Sequence, residues 1–496
     1  MQLPLLFKPQ TEWVPPIDLK DLSDAKEIAI DLETCDPNLT TSGSGAINGN
    51  GFVVGIAVAV EGWQGYFPIA HEGGGNLDKR IILDWFQDIL NTNANKIFHN
   101  AMYDVSWIRA MGLNINGRII DTMIAGSLIN ENRFSYTLDS MGKEFVGFGK
   151  NETNLKEAAK NWNIDPKKDM WRLPAMEVGS YAEKDAELTL KLWQRLQQEL
   201  TAQDLWSVFT LETDLFPCLI DMKFKGVRVD MERADTIKKE IVKKEKKTLL
   251  DIKKEVGFDV EIWAASSCAL AFDKVNLPYD KTDKGNPSFT KNFLSTHPHP
   301  LAKNITLARE LNKAHTTFID TIIKHEHRGR IHADINQIRS DQGGTVTGRF
   351  SYSNPNLQQV PARNKDLGPM IRSIFIPEEK CDWGCFDYSQ QEPRILVHYA
   401  SLDNFRSVDS IIDKYKNSDA DFHQSVADMA DIERKQAKTI NLGLMYGMGK
   451  NKLMAELGLQ VDAAEKLIKR YHTSAPFVKQ LMDSVSRRAQ DSGRIR

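Results

Sequence analysis

The chain has 496 residues, more than one ordinary domain holds, so two to four domains are expected. Hydrophobic residues make up 41% and charged residues 26%, and no apolar run approaches the ~20 residues that span a bilayer. This composition excludes a membrane protein and predicts a cytoplasmic one. The net charge of −3 gives no overall attraction to nucleic acid, so any DNA contact requires a local basic surface.

The first two hundred residues alternate between strand and helix patterns. Strands are predicted at residues 27–31 and 52–60 by their β-branched content, and another begins at Lys96. A strongly helical pattern then runs from Tyr181 to Leu200. Strands interleaved with helices in this way indicate an α/β domain.

A lysine-rich helix is predicted over residues 231–256, and a second helical run covers residues 301–324. A turn-rich passage separates them, so we expect a projecting hairpin of two long helices with a polar tip. The lysines either solvate one face of the helix or contact phosphates, and the sequence leaves both interpretations open.

Carboxylates recur at three places in the first region. Asp31 and Glu33 end a predicted strand, and period-two alternation puts both side chains on one face. Asp104 follows a second apolar strand, at a strand-to-helix junction. Tyr181 and Asp185 are one turn apart on one face of the last helix.

Four acids and a tyrosine suit the hydrolysis of a phosphodiester with two metal ions. One Mg²⁺ would generate the attacking hydroxide and the other would stabilise the leaving 3′ oxygen, with the ions ~3.5–4 Å apart. Hard cations of this kind prefer carboxylate oxygens, and Mn²⁺ is the alternative ion. We expect Tyr181 to orient the attacking water.

The order and spacing of these residues resemble the DEDD group of 3′→5′ exonucleases, in the subgroup that carries a tyrosine. The resemblance covers about residues 20–200 and implies a ribonuclease H-like exonuclease domain over residues 1–205. It also implies that single-stranded 3′ ends of DNA are the substrate. The metal ligands that it implies are Asp31, Glu33 and Asp185 for one ion, and Asp31 and Asp104 for the other.

A polar loop with two glycines lies farther along the chain. Gly343 and Gly344 permit a tight turn, and Arg349 follows in a Thr-Gly-Arg sequence. Asn356 and Gln358 then supply amides that could read the minor groove, whose acceptors look alike in every correct base pair. We therefore expect these three polar side chains to contact primer–template DNA.

Residues 385–389 predict a buried strand that contains an acid, Asp387, and a helix follows it. This segment resembles motif A of the family-A DNA polymerases. By that resemblance, Asp387 binds both catalytic metal ions with help from the carbonyl of Tyr388. The resemblance makes Glu392 the steric gate against a ribose 2′-hydroxyl.

Another helix is predicted from Arg434, with functional side chains at steps of four. Arg434, Lys438, Leu442 and Tyr446 form one stripe about 18 Å long. The two cations suit the β- and γ-phosphates of a nucleotide, and Tyr446 suits the nascent base pair. The spacing matches motif B of the family-A polymerases, which makes Lys438 catalytic and adds His423 as a phosphate ligand. Leu442 departs from the family, which usually carries Phe or Tyr there.

This second resemblance covers about residues 206–496 and implies a right-hand polymerase domain. The expected subdomains are a thumb at about 231–330, a palm at about 331–400 and fingers at about 401–496. The family's motif C would lie beyond Arg496, and we find no substitute for it in the sequence. We therefore expect the polymerase domain to be incomplete at its C-terminus.

Three functions are compatible with these patterns. The leading one is template-directed DNA synthesis with 3′→5′ proofreading in DNA replication, by a phage-type enzyme in the host cytoplasm that uses deoxynucleoside triphosphates. In that case the chain alone is exonuclease-competent but polymerase-deficient. The C-terminal part of the palm is then either left out of an incomplete sequence or supplied by a separate C-terminal polymerase fragment. The alternatives are a stand-alone 3′→5′ exonuclease with a primer–template binding module, and a non-catalytic DNA-binding protein, which the intact acid set disfavours.

Overall fold

The computed structural model describes residues 11–493, except residues 342, 363, 406, 407, 418–420 and 431. The chain forms two compact units, residues 1–382 and residues 383–496. In the described part of the chain, no helix is long and apolar enough to cross a membrane.

A five-stranded mixed sheet lies at the centre of the first 200 residues. Its strands are β1 (Glu27–Cys35), β2 (Phe52–Val60), β3 (Trp63–Pro68), β4 (Asn95–Phe98) and β5 (Ile119–Asp121). Their order is β3-β2-β1-β4-β5; β1 pairs antiparallel with β2 and parallel with β4. The three strands predicted from the sequence are therefore confirmed, and the central one is β1.

Helices cover both faces of this sheet, which is why β2 is apolar and buried along almost its whole length. They are α1 (Leu39–Ser42), α2 (Gly45–Asn48), α3 (Lys79–Asn91), α4 (Ala101–Ala110), α5 (Thr122–Ile129), α6 (Leu138–Phe145), α7 (Thr153–Asn161), α8 (Ala175–Ala202) and α9 (Trp206–Lys225). The helix predicted from Tyr181 is confirmed and begins earlier, directly after Pro174, a residue that suits helix starts.

A glycine in β2 allows the sheet to pack tightly beside its acidic strand. Gly55 pairs with Glu33 across β1 and β2. A Cβ atom on Gly55 would lie 2.1 Å from the hydroxyl oxygen of Tyr66, whose side chain is fully buried. The position therefore requires glycine, because the tyrosine fills the space that a side chain would need.

The expected helical hairpin follows the first domain. Its elements are β6 (Val227–Arg228), α10 (Met231–Val256), α11 (Ala265–Lys274), β7 (Asp280–Lys281), β8 (Pro287–Ser288), α12 (Lys291–Thr296), α13 (Pro300–Lys313), a π-helical turn (Ala314–Ile319) and α14 (Asp320–His325). Helices α10 and α13 pack together. The expectation of a merely polar tip is wrong, because Cys268, Phe272, Phe289 and Leu294 form a small core there.

Short strands complete the first unit. They are β9 (Glu326–His327), β10 (Arg330–Ile331), β11 (Asp334–Asn336) and β12 (Ser351–Ser353), followed by a 3₁₀ turn (Leu357–Gln359) and α15 (Leu367–Arg372). Strands β11 and β12 form a two-stranded ribbon whose loop contains Gly343 and Gly344, both with positive φ. The tight turn expected from the two glycines is thus present.

The second unit is helical. Its helices are α16 (Gln391–Leu402), α17 (Asp409–Asn417), α18 (Phe422–Ala430), α19 (Arg434–Met445), α20 (Lys450–Leu457), α21 (Val461–Ser474) and α22 (Pro476–Ser492). They enclose a core around Ile440, Tyr471 and Phe477. The helix predicted from Arg434 is confirmed as α19.

The prediction of a buried strand at residues 385–389 is wrong. Residues 381–388 have no regular secondary structure, and the Phe386 side chain is 97% exposed. A buried strand needs neighbouring strands to satisfy its backbone groups, and none of the described strands pairs with this segment. The acid Asp387 consequently lies on an exposed segment just before α16.

Candidate active sites

Three acidic side chains meet on one face of the first domain. Asp31 and Glu33 lie on β1, and Asp185 lies on α8, which packs across that strand. One ligand atom from each of them lies within 4.8 Å of those of the other two. The alternation expected from the sequence is therefore confirmed. Within the described residues, no other group of three or more His, Cys, Asp or Glu side chains comes together in this way.

Asp104 is buried next to this group and is held by the backbone of β1. Its Oδ1 accepts a hydrogen bond of 3.1 Å from the N–H of Leu32. Asp121 holds the start of α4 in place. Its carboxylate accepts hydrogen bonds from the N–H groups of Asn100 and Ala101, at 3.0 and 2.8 Å. Asp121 lies in an Asp-Thr-Met segment that also belongs to the exonuclease resemblance, but the sequence does not reveal these hydrogen bonds, because the partners become adjacent only in the folded sheet.

Burial and mutual repulsion disfavour the charged forms of these acids. Burial, with the charge of Asp185 second, raises the pKa of Asp31 to about 6. Burial and the charge of Asp31 raise the pKa values of Glu33 and Asp104 well above their ordinary range. Glu33 Oε1 and Asp185 Oδ1 are buried without a hydrogen-bond partner. Unsatisfied carboxylate oxygens in a buried cluster are the ligands that a hard divalent cation requires, so the residues fit such an ion.

Lys150 lies beside the acids, and sequence reasoning missed it. Its Nζ donates to Asp185 Oδ2 at 2.5 Å and to the hydroxyl of Tyr181 at 3.1 Å. Burial disfavours the ammonium, but the charges of Asp185 and its neighbours prevail and raise the pKa of Lys150 well above its ordinary value. Lys150 lies in a loop 31 residues before Tyr181, so no local spacing in the sequence reveals this contact.

A cavity of about 790 Å³ opens beside Tyr181 and Lys150. Three further lysines line it, and each pairs with a carboxylate of the cavity wall. They are Lys143, Lys156 and Lys167. The wall thus carries four lysines, counting Lys150, against three carboxylates, and it meets the acid cluster through Tyr181 and Lys150. A small excess of positive charge suits an anionic chain.

In the second unit, the residues of the predicted stripe lie along α19, from Arg434 at its start to Tyr446 directly after its end. The hydroxyl of Tyr446 donates to Glu392 Oε1 at 3.1 Å, so these two predicted nucleotide-binding residues do lie together. Arg434 pairs with Asp421 at 2.5 Å. Lys438 is exposed, and Leu442 is half-buried.

His423 is buried and held by two residues that sequence reasoning missed. The hydroxyl of Tyr471 donates to Asn441 Oδ1 at 2.9 Å, and Asn441 Nδ2 lies 3.1 Å from His423 Nδ1. Since the amide oxygen accepts from the tyrosine, the amide N–H₂ faces the imidazole and donates to it. Nδ1 is thus the acceptor, and the ring proton is on Nε2.

The three residues expected to contact DNA are exposed, and Asn356 and Gln358 make local hydrogen bonds. Asn356 caps the 3₁₀ turn by accepting from the N–H of Gln358 at 3.1 Å. Gln358 Nε2 donates to the carbonyl of Phe350 at 2.9 Å. Arg349 lies in the exposed loop of the ribbon between β11 and β12. Contact of these three side chains with primer–template DNA remains a prediction.

Along the chain, the mixed sheet with its acid cluster is followed by the helical hairpin and the α19 stripe, which is the order of elements that the two resemblances imply. Comparisons with known families agree, because a 3′-5′ exonuclease model matches residues 18–201 and a model of DNA polymerase family A matches residues 231–496. The chain belongs to DNA polymerase family A and carries a 3′–5′ exonuclease domain. The α/β multidomain fold class expected from the sequence is confirmed.

Relatives of known identity include phage and bacterial enzymes. The chain is 37% identical to a DNA-directed DNA polymerase of Pseudomonas phage M6, over 99% of this chain and 78% of that protein. It is 28% identical to DNA polymerase I of Pseudomonas aeruginosa, over 96% of this chain and 52% of that protein. A solved structure of the POL domain of Pol1 from M. smegmatis, in complex with DNA primer-template and dNTP, superposes with a TM-score of 0.75 at 20% identity, covering 95% of this chain and 77% of that one.

Proposed function

We propose that this chain removes nucleotides from the 3′ end of single-stranded DNA. The observation that carries the proposal is the buried cluster of Asp31, Glu33 and Asp185, in which two carboxylate oxygens have no protein partner. Asp104 completes the set from α4. The lysine-lined cavity beside the cluster would admit the DNA chain.

In this proposal the protein residues bind, orient and hold charge. Asp31, Glu33 and Asp185 would hold one divalent ion, and Asp31 and Asp104 would hold the other. When bound, two Mg²⁺ or Mn²⁺ ions would supply a hydroxide and stabilise the leaving oxygen. Tyr181 presents its hydroxyl at the cavity and would orient the attacking water, while its ring lies against the Lys150 ammonium, 5.3 Å from the ring centre.

Digestion of end-labelled oligonucleotides tests the proposal. With Mg²⁺, we expect single-stranded DNA labelled at its 5′ end to shorten stepwise, and a 3′ label to be released first as a mononucleotide. Chelation by EDTA should stop both. Shortening from the 5′ end, or digestion that persists in EDTA, would contradict the proposal.

We further propose that the chain takes part in template-directed synthesis of DNA in phage replication, in the host cytoplasm. Asp387 with the Tyr388 carbonyl would hold the catalytic ions, and Glu392 and Leu442 would contact the sugar. Arg349, Asn356 and Gln358 would contact the primer–template. The bounds of the thumb, palm and fingers, and the alternative of a stand-alone exonuclease, remain predictions.

The nucleotide contacts of the second unit can be tested by binding alone. Arg434 and Lys438 lie on α19, and Tyr446 directly follows it. The hydrogen bond from Asn441 to His423 Nδ1 places the ring proton on Nε2, which would donate to a phosphate oxygen. We expect Lys438→Ala to weaken the binding of a fluorescent deoxynucleoside triphosphate about tenfold or more, because one charge-assisted hydrogen bond is lost. Fluorescence anisotropy with the whole chain measures it.

The matched control is Lys450→Ala. Lys450 begins the next helix, is partly exposed, and pairs with Glu465 at 2.6 Å instead of belonging to the stripe. The control should bind the nucleotide as the parent chain does. Equal weakening by both variants would show that the effect is a general loss of positive charge and not a contact of Lys438.

A further inference from the structure

The loop that carries Lys150 is fixed to the protein by its backbone. Asp139 Oδ1, on α6, accepts a hydrogen bond of 2.9 Å from the N–H of Lys150. A Cβ atom on the preceding residue, Gly149, would lie 2.2 Å from that same oxygen. Only glycine allows the carboxylate to come this close, so the loop is held without any contribution from the lysine side chain.

The side chain of Lys150 instead reaches the acid cluster. Its ammonium has three N–H donors, one directed to Asp185 and one to Tyr181. Within the described residues, no further hydrogen bond of the ammonium is observed, and Lys150 lines the cavity together with Tyr181. The side chain is 23% exposed, whereas those of Lys143, Lys156 and Lys167 in the same cavity are 60% exposed or more.

We propose that Lys150 is a functional residue of the exonuclease centre, which ties Asp185 to Tyr181 and donates its third N–H to a non-bridging oxygen of the 3′-terminal phosphodiester. This inference rests on the proposed 3′→5′ hydrolysis. It assigns a substrate-binding role to a residue outside the set of four acids and one tyrosine.

The charges of the site support this role. The four negative charges of the carboxylates would cancel the four positive charges of two divalent ions. The phosphodiester would then bring one further negative charge that the metal centre does not neutralise. The ammonium of Lys150 is the cation nearest to Asp185, at 2.5 Å, and it is mostly sheltered from water. A cation in a sheltered site interacts with a developing negative charge more strongly than one in water.

Lys150→Met tests the inference because methionine keeps an unbranched side chain of nearly the same length and removes the charge. Lys150→Arg keeps the charge. The matched control is Lys191→Met: Lys191 also pairs with an acid of α8, Glu187 at 2.7 Å, and its ammonium lies over Phe148 of the same loop. It does not line the cavity.

Two measurements are made on each variant. The first is the single-turnover rate of digestion with Mg²⁺, which should fall about 100-fold in Lys150→Met, the usual loss when one positioned donor is removed. The second is the affinity for single-stranded DNA in EDTA, which should fall about tenfold through the lost phosphate contact. Lys150→Arg should recover most of the digestion rate and most of the DNA affinity. Lys191→Met should have the same rate and affinity as the parent chain.

The outcomes separate the inference from the proposed function. Digestion and affinity at parent levels in Lys150→Met would overturn the inference. Loss of both with a lowered melting temperature, and no recovery in Lys150→Arg, would overturn it in favour of a purely structural ion pair. If the parent chain does not digest DNA, the proposed hydrolysis fails, and the affinity in EDTA still decides whether Lys150 contacts phosphate.

Discussion

Replacing Asp31 and Glu33 together with alanine is expected to reduce digestion of single-stranded DNA by at least about 10⁴-fold. Each of these side chains supplies a carboxylate to the cluster on β1. Removing one positioned group of an active site commonly costs about 10²–10³-fold in rate. In the proposed mechanism both side chains would hold the same ion. The rate with Mg²⁺, measured on a 5′-labelled oligonucleotide, reports the loss.

The same double variant should melt at an unchanged or higher temperature in the absence of metal. Burial and repulsion raise the pKa of both carboxyl groups, so their charged forms destabilise the folded protein at neutral pH. A matched control changes two exposed acids of α3, Asp84 and Asp88, to alanine. Digestion by the Asp31/Glu33 variant at the rate of this control would show that the acid cluster is not the catalytic centre.

Replacing Trp193 with alanine should destabilise the first domain by about 3–5 kcal/mol, the usual cost of removing a large buried aromatic side chain. Trp193 lies on α8 two turns after Asp185 and is almost completely buried. Its ring stacks on Phe209 at 5.4 Å, and its Nε1 donates to Glu27 Oε1 at 2.9 Å. Thermal unfolding followed by circular dichroism measures the change.

Trp193→Phe separates packing from hydrogen bonding. Phenylalanine preserves most of the aromatic contact with Phe209 but has no indole N–H. Glu27 Oε1 would still accept from Gln197 Nε2 at 3.1 Å, so we expect this variant to lose about 1–2 kcal/mol. If Trp193→Phe were as unstable as Trp193→Ala, the hydrogen bond to Glu27 and not the packing of α8 would be the main contribution.

Sequence patterns correctly predicted the side chains whose positions follow from the period of one strand or one helix. The alternation of Asp31 and Glu33 and the one-turn spacing of Tyr181 and Asp185 place these side chains correctly, because strand and helix geometry are local properties. Lys150 could not be found in this way, since its contact depends on how a glycine-containing loop packs on another helix. Such contacts are set by tertiary structure alone.

The wrong prediction of a buried strand at residues 385–389 also arises because tertiary contacts are not visible in the sequence. An apolar run predicts burial, but a strand becomes buried only when other strands lie on either side of it. Phe386 therefore satisfies a local pattern and remains exposed in this structure. The tip of the helical hairpin shows the opposite error, because Phe272 and Phe289 are separated by polar turns in sequence and meet only after the chain folds back.

Because the acids lie on β1, the exonuclease activity depends on the correct register of this strand in the sheet. Asp31 and Glu33 alternate with Ile30 and Leu32, and the irregularity in the pairing with β2 begins only after Glu33. A slip of β1 by one residue would bring Ile30 and Leu32 to the open face and force both carboxylates into the apolar core. Misassembled molecules would thus be inactive and unstable at once. The specific activity of a purified preparation should therefore measure the fraction of molecules whose central strand is correctly aligned.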